Sequence, residues 1–68
     1  MTGEVVAFDD HAGLGAVRAI DGTEYGFHCT AIADGSRTIA VGARVEFEVV
    51  AGGLGRWEAT KLALPGRG

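Results

Sequence analysis

Between positions 44 and 49 the chain reads Arg-Val-Glu-Phe-Glu-Val, one polar residue for each apolar one. Strict alternation is the period of a strand with one buried face, so Val45, Phe47 and Val49 are expected to point into a core while Arg44, Glu46 and Glu48 meet water. Four other segments carry weaker versions of this signal. Residues 4–8, rich in β-branched and aromatic types, stop at the turn-forming run Asp9-Asp10-His11-Ala12-Gly13. Residues 14–20 and 24–28 flank Asp21-Gly22, a dipeptide suited to a tight type I′ hairpin turn. Residues 56–62 follow the glycine-rich turn at 52–55. The stretch Cys29-Thr30-Ala31-Ile32 is too short for a stable helix and predicts a single turn, leading into a polar loop at 33–37.

Five short strands with no helix of any length predict an all-β, five-stranded antiparallel barrel. Its core is expected to hold Val5, Val17, Tyr25, Phe27, Val45, Phe47 and Val49. The domain is placed at residues 1–63, and Pro65, which cannot continue a ladder, makes 64–68 a frayed tail.

Composition narrows the class. The 68 residues are 47% hydrophobic, enough for a small core, although a domain of this length buries only about 60% of the surface its unfolded chain exposes. No apolar run approaches the roughly 18 residues of a membrane span, and Met1 leads into a polar, acidic start rather than a secretion signal. A single cysteine, Cys29, leaves no internal disulfide and fits a reducing compartment; a cytoplasmic location is the expectation, with no membrane partner. The net charge of −3 argues against a broad electrostatic footprint for nucleic acid. Arg18, Arg37, Arg44, Arg56, Lys61 and Arg67 are scattered singly, without a basic run.

Four ordered segments carry a resemblance: Gly3-Glu-Val-Val-Ala-Phe8, Ala12-Gly-Leu-Gly-Ala-Val17, Tyr25-Gly-Phe-His-Cys-Thr-Ala-Ile32 and Val41-Gly-Ala-Arg-Val-Glu-Phe-Glu-Val49. In order and approximate spacing the chain resembles the bacterial cold-shock domain. The resemblance implies an OB-fold barrel that lays single-stranded DNA or RNA across an aromatic platform, each stacked base contributing about 1–3 kcal/mol. Where the family usually places Trp before its first-strand Phe, this chain has Ala7, and Val6 stands at the preceding basic position. The aromatic positions of the first motif hold Leu14 and Ala16, and those flanking the histidine of the second hold Gly26 and Cys29. Only Phe8 and His28 match the family's stacking residues. Losing about four stacking partners at ~1 kcal/mol each costs roughly a thousandfold in affinity.

The candidate nucleic-acid-binding residues are therefore Phe8, Leu14 at a platform position, His28, and the replacement group Arg56, Trp57 and Lys61. Phe8 and His28 could instead pack at the barrel edge. Trp57, next to Arg56, could stack a base or anchor a protein, while its parity with Ala59 predicts partial burial. No catalytic residue and no cofactor is expected. Cys29 beside His28 lacks an orienting third group, and Asp9, Asp10, His11 and His28 have no metal-ligand spacing. Two function classes remain open: a weak or specialised single-stranded nucleic-acid binder, and a barrel repurposed for protein contact through Val6, Ala7, Leu14, Ala16 and Cys29.

Overall fold

A computed structural model describes residues 1–64 of the chain, so the expected tail lies outside the described residues from Pro65 onward. Five strands form: β1 (Thr2–Asp9), β2 (Leu14–Ala19), β3 (Glu24–His28), β4 (Arg44–Ala51) and β5 (Trp57–Ala63). One short 3₁₀ turn, Cys29–Ala31, follows β3, and another, Gly53–Gly55, links β4 to β5. The sheet closes on itself in the order β1-β2-β3-β5-β4. This is the expected all-β, five-stranded barrel.

Antiparallel ladders join β1 to β2, β2 to β3, β1 to β4 and β4 to β5. The remaining seam is parallel, which corrects the all-antiparallel expectation. After β3 the chain crosses by the long loop to β4, and the β4–β5 hairpin then returns β5 in β3's own direction. The seam has one ladder bridge, Gly26 to Glu58, and an isolated parallel bridge from Ile32 to Leu62.

Val5, Val17, Phe27, Val45 and Phe47 are buried as their alternation requires, and Ala19, Ile32, Ala59 and Leu62 join them. Tyr25 and Val49, expected inside, are only half-buried and pack against this core from its rim. The Tyr25 ring tilts against Phe47 with centroids 5.9 Å apart.

Two irregularities decide which residues fill the core. The β4–β5 register runs from Glu48–Thr60 to Glu46–Ala63, so β5 carries one extra residue. Lys61, at φ 55°, sits in this bulge. A bulge reverses the alternation downstream of it, which is why Ala59 and Leu62, three residues apart, both face inward. The second bulge lies between Val5 and Ala7 on β1.

The β2–β3 connection also departs from expectation. Gly22 is left-handed at φ 93°, whereas Asp21 is not, so the turn is not type I′. Instead Gly22 N–H donates to Ala19 O at 2.9 Å, and Ala19 N–H donates to Thr23 O at 2.8 Å. Three residues thus turn the chain, with one left-handed glycine closing the loop. Asp21 Oδ1 accepts the Thr23 N–H at 2.9 Å, and this bond holds the Asp21 carboxyl below the usual carboxylate range.

Gly15 is required by packing rather than by a turn. A Cβ there would lie 2.5 Å from Phe27 Cζ and 2.8 Å from Ala7 O. Phe27 in turn stacks nearly parallel on Phe8, with centroids 6.0 Å apart and planes 12° apart. Gly15→Ala is expected to cost about 1–3 kcal/mol, because the ring and the backbone must both move. An unchanged melting temperature would refute this requirement.

Candidate nucleic-acid interface

On β2, alternation turns Leu14, Ala16 and Arg18 outward, and on β3 it does the same for Glu24, Gly26 and His28. The register pairs these residues one to one: Leu14 with His28, Ala16 with Gly26, and Arg18 with Glu24. Directly paired residues share a side of the sheet. Ala7 extends the same face onto β1 by pairing with Ala16, and Glu58 and Val50 extend it across the seam onto β5 and β4. The centre is nearly flat, since Ala7, Ala16 and Gly26 offer two methyl groups and a hydrogen. Leu14, 45% exposed, and the exposed His28 rise together at one end.

The electrostatics of this face are unfavourable to phosphate. Arg18 is the only Lys or Arg before Arg37. Its Nε and Nη2 donate to Glu24 Oε2 at 3.1 and 2.8 Å. An exposed pair of this kind adds little stability. Its importance is that the guanidinium is already engaged by a carboxylate. Glu58 stands on the same outward side without a cation paired to it among the described residues, while Glu4 lies between Arg18 on β2 and the exposed Arg44 on β4.

The six candidates from the sequence fall into separate groups. Leu14 and His28 are neighbours, as described. After the β1 bulge Phe8 pairs with Gly15, on the opposite side of the sheet from Leu14, and its half-buried ring caps Phe27. Lys61 lies on the bulge of β5, with Nζ 3.7 Å from Glu48 Oε1. Arg56 and Trp57 stand at the far end of the β4–β5 hairpin.

Trp57 corrects the expectation of partial burial, being 62% exposed. It shares the side of Ala59, but its partner is Ala51, the last residue of β4, itself exposed. At that end the hairpin overhangs the barrel, so correct parity leads to no covering layer. Along the parallel seam Glu58 is level with Gly26, which leaves Trp57 three residues, or about 10 Å, from the level of His28. The indole and the imidazole do not form one platform.

Asp9 and Asp10 serve the loop. Asp9 Oδ1 accepts the N–H groups of His11 and Ala12, at 2.9 and 3.2 Å. Asp10 Oδ1 accepts the Thr38 hydroxyl at 3.2 Å. Cys29 is half-buried, and its N–H donates to Gly13 O at 2.8 Å.

Sequence reasoning missed a second polar group at the edge of the face. His28, Thr30, Val50, Glu58 and Thr60 line a shallow recess of about 210 Å³. Their proximity depends on how β5 meets β3 across the seam, for which the local sequence carries no signal. The Arg18–Glu24 pair depends on the third turn residue: a two-residue Asp21-Gly22 turn would set Arg18 opposite Tyr25, whereas the observed turn over residues 20–22 sets it opposite Glu24.

No described helix is long and apolar enough to cross a membrane. The family model for the 'Cold-shock' DNA-binding domain matches residues 1–65. No curated protein matches the chain.

Proposed function

The chain belongs to the cold-shock DNA-binding domain family, and from that membership we propose that it binds single-stranded DNA or RNA weakly, across the outward face of β1, β2 and β3. The observation that carries this reading is the pairing of Leu14 with His28 at the end of an otherwise flat face. One imidazole and one aliphatic side chain can hold one base, whereas Ala7, Ala16 and Gly26 give neighbouring bases nothing to stack on. The role is binding rather than catalysis, as in the family at large.

Affinity on the order of tens of micromolar or weaker near physiological salt is expected. The salt dependence should be shallow, because Arg18 is paired with Glu24 and both Arg18 and Arg44 sit beside Glu4. Titrating labelled oligothymidine and oligouridine at two salt concentrations tests both points. Sub-micromolar binding with a steep salt slope would refute the reading and turn attention to Arg56 and Trp57. His28→Ala should weaken binding by about 1 kcal/mol, the lower end of a stacking contribution.

A second reading, protein contact, is favoured by one specific feature. Ala7, Leu14, Ala16 and Val50 give the face an apolar centre, with its cations Arg18 and Arg44 confined to the end near Glu4. No detectable oligonucleotide binding would support it.

A further inference from the structure

The recess beside His28 lies where the edge of a base stacked on the imidazole would fall. Its polar groups are the hydroxyls of Thr30 and Thr60, which both donate and accept, and the carboxylate of Glu58, which only accepts. Glu58 has no hydrogen bond or ion pair among the described residues. Its carboxyl rests over Gly52, a residue with no side chain. Arg56, two residues away, makes no ion pair with it among the described residues, and Lys61, three residues away, is placed on Glu48 instead.

We propose that this recess reads the edge of the bound base and selects guanine, an inference that rests on the single-stranded nucleic-acid reading above. Guanine presents two adjacent donors on its Watson–Crick edge, N1–H and the 2-amino group, which match the two oxygens of a carboxylate. Thymine and uracil present one N–H between two carbonyl oxygens, and those oxygens face an uncompensated negative charge. Cytosine offers a single amino donor beside a ring acceptor and falls between them. The open surface of Gly26 admits the base, since even a Cβ at that position would meet nothing closer than Gly15 O at 3.8 Å.

The test compares short oligothymidines whose central nucleotide is dT, dC, dG or deoxyinosine, measured by fluorescence anisotropy. The central dG is expected to tighten binding at least about fivefold over dT, the lower bound for a two-point base contact. Deoxyinosine, which keeps N1–H and lacks the 2-amino group, should lose most of that gain. Glu58→Gln should bring the dG-to-dT ratio close to one. Glu46→Gln removes the same charge from β4 at a position paired with Thr2 and Ala63, and should keep the ratio. Equal binding of the dG and dT oligonucleotides, or a ratio that survives Glu58→Gln, would overturn the proposal and leave weak nucleic-acid binding standing. Absence of binding by every oligonucleotide would overturn both.

Discussion

Replacing Phe47 by Ala is expected to leave the protein largely unfolded at physiological temperature. Phe47 is 3% exposed, touches the Tyr25 ring, and lies on the strand that pairs with both β1 and β5. Truncating a buried Phe costs about 3–5 kcal/mol, through lost apolar transfer and the cavity left behind. A core this small rarely supplies more than about 3–5 kcal/mol in total. The two figures are equal in size, so the variant has almost no stability left. Thermal melting followed by circular dichroism decides the matter, and a cooperative transition within a few degrees of the parent would contradict the assignment of Phe47 to the core.

The second large effect is a gain. Leu14→Phe, Ala16→Phe and Gly26→Phe together should tighten single-stranded oligonucleotide binding by on the order of a hundredfold, from about 1 kcal/mol per restored stacking face. All three positions lie on the outward face, and the neighbours of Ala16 are Ala7 and Gly26, too small to obstruct a ring. Aromatic residues also suit exposed strand positions, so the fold should tolerate them. Because no phosphate contact is added, the salt slope should remain as shallow as in the parent. A folded triple variant that binds no better would show that nucleic acid does not use this face, and would favour protein contact.

Much of the barrel was legible before any coordinates. The bounds of β3 at 24–28 and the start of β4 at Arg44 followed from alternation and from the Gly and Asp residues that punctuate it, although β4 runs two residues beyond Val49. What alternation could not reveal is a single inserted residue. The bulge at Lys61 turns Leu62 inward, and the bulge after Val5 takes Phe8 to the side of Gly15. Within the candidate site, Leu14 and His28 were both legible as platform positions through the family resemblance, but their direct pairing was not, because a two-residue turn at Asp21-Gly22 would have set Leu14 opposite Cys29. Glu58, Thr30 and Thr60 could not be related, since their meeting depends on the register of two strands separated by the long loop. Trp57 shows the limit of parity in another way: the side was right, but no layer of the barrel extends that far.

The parallel seam between β3 and β5 has a kinetic consequence. The β1–β2–β3 meander and the β4–β5 hairpin are each built from neighbours in sequence, whereas the seam joins residues about 30 positions apart through a single ladder bridge. Loop-closure entropy makes such non-local contacts the slow ones to form, so the two local units assemble before the barrel shuts. In the native state the same seam, with few hydrogen bonds holding it, is the first place to part. Amide protons along it therefore exchange with solvent ahead of those in the meander.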